Sequence, residues 1–136
     1  MCFAVYATAN AMSRAYAPLL APFGLTYVQY LVLLVLWEGD DLPVGALGER
    51  LFLNSATLTP LLKRLERAGL LVRRRGTQDE RVVRLALTPR GRALESAMRA
   101  VPEAFFCKTA LSAGSLAKLR AKLGTLHRRL RTSAAG

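Results

Sequence analysis

Between Leu53 and Gly91 the hydrophobic period changes twice, and few folds accommodate that. In LNSATLTPLLKRLERAGL, Leu58, Leu61, Leu62 and Leu65 recur at helical spacing and mark one apolar face. Asn54 or Ser55 can cap the start, and Gly69 ends the helix. The next stretch, LLVRRRGTQDERVVRLALT, turns to a β-leaning pattern. Its runs Leu70–Arg75 and Val82–Leu87 flank the polar loop GTQDER and predict a hairpin. Thr88 followed by Pro89 then starts another helix, which carries Leu94, Met98 and Val101 to Pro102.

The flanks read as helices. One Ala-rich helix is predicted from Phe3 to roughly Leu20, ended by Pro22 and Gly24. A second runs from about Thr26 to Glu38, with Tyr27, Tyr30, Leu31, Leu34 and Trp37 at helical spacing. EGDDLP is a turn, and PVGALGERL a short helix with Pro43 near its first position. The last helix starts near Ser112. Its leucines at 116, 119, 123, 126 and 130 form a heptad-like seam, too short for a long coiled coil. The tail RTSAAG is expected to fray. Three helices followed by a hairpin make a winged helix-turn-helix, mainly α with a small β-hairpin wing. With 136 residues, 52% of them hydrophobic, a single domain with a buried core is expected over residues 1–136.

Charge suggests the partner. Lys plus Arg is 20 against 9 Asp plus Glu, a net of +11. Lys63, Arg64, Arg67, Arg73, Arg74, Arg75, Arg81 and Arg84 crowd one segment, against Glu66, Asp79 and Glu80. A polyanion partner is one reading, and an ordinary solvated face the other. With the leucine stripe turned inward, the opposite face carries Ala56, Pro60, Lys63 and Arg67, flanked by Thr59 and Arg64. Thr59, Lys63 and Arg64 can donate to base edges or phosphates, and Ala56 and Pro60 can touch thymine methyls. Ser55 stands at the helix start, where free N–H groups suit a phosphate. Thr57, and Arg75 at the end of the first strand, join the candidate set. Pro60 lies about one turn inside the helix and removes a backbone donor. A tolerated first-turn proline and a shaped N-terminus at the groove are both open readings. In the loop, Arg81 suits a narrow minor groove, and Asp79 could hold Arg81 in place by a charge-assisted hydrogen bond. An ordinary polar turn is the alternative, and the density of basic residues favours the wing.

Other classes find little support. Two cysteines make no disulfide framework, and no CxxC occurs. His127 is the only histidine, so neither a zinc site nor another metal or cofactor is expected. No apolar run approaches the roughly 20 residues that span a bilayer, so no membrane partner is expected. The start lacks the marks of a signal peptide. A reducing, cytoplasmic setting is the resulting expectation.

The helix order, the LNSATLTPLLKRLERAGLLVRRR stretch and the DERVVRLALTPRG stretch resemble the MarR family of bacterial transcription regulators. The DxR of the wing, here Asp79 and Arg81, is that family's most recognisable motif. The likeness covers nearly the whole chain. Within the family, the opening CFAVYATANAMSRAYAPLLAPFGLTYVQYLVLLVLWE resembles the organic hydroperoxide regulators. The resemblance implies a homodimer that binds an inverted repeat in double-stranded DNA and is not an enzyme. Helices of about 2–22 and 89–132 would form the dimer interface around a DNA-binding core of about 26–90. One departure is that a single residue precedes Cys2, where relatives usually carry an extra helical turn or more. A truncated or misassigned start is the expectation there.

A cysteine is most often a small hydrophobe. Cys2, however, stands at the amino end of a helix, where the dipole favours a thiolate. All four tyrosines, Tyr6, Tyr16, Tyr27 and Tyr30, fall in the first 30 residues. Their hydroxyls could donate to a thiolate, and core packing explains them too. Cys2 and Tyr16 would lie about 20 Å apart in one straight helix. They cannot touch within one chain unless the helix breaks, and in an antiparallel dimer they could meet across the interface. The resemblance implies that arrangement, with Cys2 hydrogen-bonded to Tyr16 and Tyr27 of the other subunit. Cys107, in FFCKT, resembles the second, resolving cysteine of the two-cysteine regulators. It is expected in the connection between Pro102 and Ser112. Tyr6, Phe105 and Phe106 complete a pocket for an apolar organic hydroperoxide. The alternatives are a MarR-type repressor released by an aromatic or phenolic ligand, a thiol peroxidase, and a non-specific architectural DNA protein.

Overall fold

The computed structural model describes residues 1–76, 79 and 81–133. These form two compact units, residues 1–101 and the chain from Pro102 onward.

The first unit opens with α1 (Cys2–Leu20). A 3-10 turn at Ala21–Phe23 closes it, with Gly24 at φ 66°, in the left-handed region that favours glycine. A capping box starts α2 (Tyr27–Glu38): Thr26 Oγ1 accepts the Gln29 N–H, and Gln29 Oε1 accepts the Thr26 N–H. The chain bends by 73° between these two helices. α2 is apolar nearly all round. Tyr30, Val32, Leu33, Val35 and Leu36 are buried, which makes it the central helix of the unit.

The EGDDLP turn contains an unexpected strand, β1 (Leu42–Pro43). Pro43 then serves as the N-cap of α3 (Val44–Leu51) rather than as a helical residue. α4 (Ser55–Arg67) follows, with Asn54 as cap: its side chain accepts the Thr57 N–H at 2.9 Å. Leu58, Leu62 and Leu65 are buried, as is Leu47 of α3, and Leu61 is only half-buried. The Leu70 N–H reaches the Leu65 carbonyl and the Gly69 N–H the Glu66 carbonyl, so α4 ends in a Schellman turn through Gly69 at φ 70°.

β2 (Leu71–Arg75) and β3 (Val83–Leu87) form the hairpin, each starting one residue later than expected. The sheet has three strands in the order β1-β3-β2, all antiparallel, with Leu42 opposite Leu85 and Leu71 opposite Leu87. Pro43 is tolerated because β1 is an edge strand. Of the predicted loop, Thr77, Gln78 and Glu80 lie outside the described residues.

Thr88 caps α5 (Pro89–Ala97), its Oγ1 accepting the Gly91 N–H at 3.0 Å. Here the expected helix divides. α5 ends at Ala97, and α6 (Val101–Thr109) is a separate helix. Gly91 lies against the start of β2, where an added Cβ would sit 2.0 Å from the Leu70 carbonyl oxygen. The Gly91 carbonyl accepts Trp37 Nε1–H at 2.9 Å, which ties α5 to α2.

In the second unit α7 (Ala113–Ser133) carries the leucine seam, with Leu119, Leu123 and Leu130 exposed. The helix runs through Arg131, Thr132 and Ser133, where fraying was expected, and residues 134–136 lie outside the description. Among the described residues no single helix is long and apolar enough to cross a membrane. None of their His, Cys, Asp and Glu side chains group in a way that could hold a metal ion.

Candidate nucleic-acid interface and thiol site

The leucine stripe orients α4 as expected. With Leu58, Leu62 and Leu65 inward, Ser55, Ala56, Thr57, Thr59, Pro60, Lys63, Arg64 and Arg67 are all exposed. Thr59 differs in one respect. Its hydroxyl donates to the Ser55 carbonyl at 2.8 Å, so its proton is committed within the helix and its lone pairs are what it offers outward. Pro60 is the sixth residue of α4, beyond the first turn. Its missing N–H removes the donor that would meet the Ala56 carbonyl.

Ion pairs sort the basic segment into two groups. Arg73 is committed to Glu66, which accepts its backbone N–H at 3.1 Å and its Nε at 2.8 Å. The Arg73 side chain first, then its backbone N–H, holds the Glu66 carboxyl below its ordinary pKa. This contact joins α4 to the wing. Arg84 is committed to Asp41 through Nε at 3.1 Å. That pairing matters because Arg84 stands directly opposite Arg74 in the sheet. Among the described residues Lys63, Arg64, Arg67, Arg74, Arg75 and Arg81 form no ion pair, and all are exposed. These cations are carried by α4, by β2 and by the turn that precedes β3.

Asp40 anchors the other side of the wing. Burial works to raise its pKa. The Leu87 and Asp41 N–H groups and the Arg92 guanidinium outweigh burial and hold it below the usual carboxylate value. At the wing loop, Asp79 Oδ1 accepts the backbone N–H of Arg81 at 2.9 Å. The expected hold on Arg81 thus acts through the backbone, shaping the turn and leaving the guanidinium outward.

Cys2 is the first residue of α1 and is exposed. α1 is continuous from Cys2 past Tyr16, which keeps the two apart within one chain, as expected. The bend between α1 and α2 instead gathers three phenols. The Tyr16 and Tyr27 rings stack at 4.8 Å, and Tyr30 lies 5.7 Å from Tyr16. Burial, then the neighbouring Tyr30 and Tyr27, pushes the Tyr16 pKa up to about 12. Burial raises Tyr27 as well. These phenols therefore keep their protons near neutrality and have them available to donate. Tyr6 is not part of the cluster; it stands on α1 and is exposed.

Cys107 is exposed inside α6, not in an interhelical connection. The apolar spacing that runs from Leu94 through Met98 to Val101 hid the break before this helix. Phe105 is buried and Phe106 exposed, their rings 6.2 Å apart. Arg74 was missed from sequence: it was masked by its neighbours in the RRR run, although strand alternation places it on the face opposite Arg73 and Arg75.

A sequence profile of the SarA/Rot transcriptional regulators matches residues 14–98. The chain is 58% identical over 102 residues to the transcriptional regulator TtmR of Methylorubrum extorquens, a match covering 75% of this chain and 52% of TtmR. The chain thus spans about half the length of that relative. It is 42% identical to the organic hydroperoxide resistance transcriptional regulator of Bacillus subtilis, over 93% of this chain and 86% of that protein. Its fold is similar to that of AbfR of Staphylococcus epidermidis. Reduced AbfR bound to DNA superposes with a TM-score of 0.82 at 32% identity, over 96% of this chain and 90% of AbfR. Disulfide-formed AbfR gives 0.67 at 38% identity, over 92% and 88%. The chain belongs to the SarA/Rot family, within the MarR-type winged-helix transcriptional regulators.

Proposed function

We propose that this protein is a redox-sensing repressor. Reduced, it binds an inverted-repeat operator in double-stranded DNA as a homodimer. Organic hydroperoxide releases it by oxidising Cys2. Both cysteines are exposed thiols, on a chain similar to an organic hydroperoxide resistance regulator, and this observation carries the reading furthest. The relative AbfR, solved both reduced on DNA and in a disulfide-formed state, supports it. α4 enters the major groove through Ser55, Ala56, Thr57, Thr59, Pro60, Lys63, Arg64 and Arg67. The wing contributes Arg75 and Arg81, with Asp79 shaping the turn. The dimer interface draws on about residues 2–22 and 89–132, including the exposed leucines of α7.

The chemistry balances. The Cys2 thiolate attacks the peroxide O–O bond, becomes a sulfenic acid, and the departing alkoxide takes a proton to leave as the alcohol. The Cys107 thiol of the other subunit then attacks the sulfenic sulfur. A disulfide forms and water leaves. Tyr16 and Tyr27 donate hydrogen bonds to the thiolate, and Phe105 and Phe106 receive the apolar part of the peroxide. The test is fluorescence anisotropy on a duplex selected in vitro with the reduced protein. Cumene hydroperoxide should release it, and a thiol reductant should restore binding. Release by salicylate with no effect of the hydroperoxide would favour the ligand-sensing alternative and remove this reading.

A further inference from the structure

More than half of the chain's net charge of +11 lies outside α4 and the wing. From Pro102 onward the chain carries seven basic residues against Glu103 alone, a net of +6. Six of the seven stand on α7, from Lys118 to Arg131, and α7 has no acidic residue. Among the described residues none of these cations forms an ion pair, and all are exposed. An ordinary solvated helix face mixes the two signs four residues apart. Here Lys118 and Lys122 are like charges at that spacing and repel. The helix dipole favours cations in the last turn, which accounts for Arg131 and not for Lys118, Arg120 or Lys122. The cations are also ordered. Lys118, Lys122 and Arg129 fall within about 40° of one another around α7 and extend about 16 Å along it. Lys122 and Arg129 border a groove of about 360 Å³, together with Ala121, Thr125 and Leu126.

We propose that this stripe of α7 is a second DNA-binding surface, which holds the phosphate backbone of a duplex without regard to sequence. One DNA strand presents a phosphate about every 3.4 Å along the axis, so a stripe of about 16 Å faces about five, enough for its three cations. The chain belongs to a family of transcriptional regulators, which makes duplex DNA the polyanion at hand. An anionic membrane fits less well. A helix on a lipid surface buries its apolar face, and the leucine seam of α7 is occupied in the dimer reading above. An acidic protein partner fits less well too, because such interfaces centre on aromatic or apolar anchors and the stripe holds Ala121 and Thr125 between its cations. The surface does not depend on the operator reading, since it makes no base contact.

The test is anisotropy of the full chain on a shuffled duplex over a range of salt concentrations, with helicity and oligomeric state measured on the same samples. Lys118→Gln/Lys122→Gln/Arg129→Gln should make the slope of log affinity against log salt shallower by about 2 to 3, and should weaken selected and shuffled duplexes by the same factor. Lys118→Arg/Lys122→Arg/Arg129→Lys should keep the wild-type slope. Arg14→Gln/Arg90→Gln/Arg99→Gln removes as much charge from exposed positions of the first unit and should change the slope by less than about one. A wild-type slope in the α7 glutamine variant would overturn the proposal. An equal change in both glutamine variants would also overturn it, by reducing the effect to net charge, as would a change that follows loss of helix or of the oligomer. Co-sedimentation with phosphatidylserine vesicles that requires the stripe, with the DNA slope unchanged, would assign the surface to a membrane instead. If wild type selects no operator while its slope on the shuffled duplex still depends on the stripe, the operator reading fails and this surface stands.

Discussion

Replacing Gly91 by alanine should destabilise the first unit more than any helix-propensity argument allows. Alanine is favoured over glycine in a helix by about 1 kcal/mol, and it also stiffens the unfolded chain. Against this, the new Cβ would lie 2.0 Å from the Leu70 carbonyl oxygen and 3.1 Å from Leu87 Cδ2. A separation of at least about 3 Å is needed, so α5 must move away from the β2–β3 sheet by roughly an ångström. Overpacking of this kind costs about 1–3 kcal/mol. The shift also strains three contacts at the same point: the Trp37 Nε1–H bond to the Gly91 carbonyl, the Thr88 cap, and the Thr88 N–H bond to the Leu70 carbonyl. Weakening one half-buried hydrogen bond adds about 1–2 kcal/mol. The net loss is about 2–3 kcal/mol, which at this chain length lowers Tm by roughly 6–12 °C. Circular dichroism melts at matched protein concentration measure it, since dimer dissociation would otherwise shift Tm. An unchanged or raised Tm for Gly91→Ala would show that the close approach of α5 to Leu70 is not what sets this junction.

Other perturbations test the interface and the sensor. Lys63→Ala should change sequence preference if its side chain reads a base. Arg81→Ala should weaken selected and shuffled duplexes alike and flatten the salt dependence by about one counterion, measured by anisotropy at several salt concentrations. Because the folded Asp40 carboxyl is held below its ordinary pKa, its stabilising effect is fully present above about pH 4 and is lost as pH falls through the lower folded value. Asp40→Asn should therefore lower Tm at neutral pH and remove part of the acid-side slope; an identical pH profile would exclude that linkage. Tyr16→Phe and Tyr27→Phe should each slow thiol oxidation by roughly tenfold with little change in melting, followed by stopped-flow thiol loss. Wild-type rates in both variants would reduce the cluster to packing.

The parts of the fold that local chemistry dictates were legible. Gly69 and the Thr88–Pro89 start appear where residue type places them, the cap falls to Asn54 of the two candidates Asn54 and Ser55, and the expected leucine stripe is buried at Leu58, Leu62 and Leu65 but only half-buried at Leu61. What escaped depends on partners distant in the chain. Leu42–Pro43 becomes a strand only because Leu85 and Arg84 lie beside it. α5 and α6 separate although Met98 and Val101, both buried, keep an apolar spacing across the break. Cys107 therefore moved from an expected connection into a helix. At the candidate site, periodicity foresaw which face of α4 is exposed. It could not foresee that Thr59 donates inward, that Asp79 holds the Arg81 backbone, or that Arg73 and Arg84 are committed to carboxylates. Those assignments need side-chain positions that composition does not carry.

The central claim is that oxidation of Cys2 controls DNA binding. Its most direct test is to treat wild type, Cys2→Ser and Cys107→Ser with cumene hydroperoxide, then measure operator affinity and run non-reducing electrophoresis on the same samples. Wild type should lose affinity and form a reducible covalent dimer. Cys2→Ser should keep its affinity throughout, because serine cannot enter the sulfenic acid pathway, and neither variant should form the covalent dimer. Full release of Cys2→Ser by hydroperoxide would contradict the account.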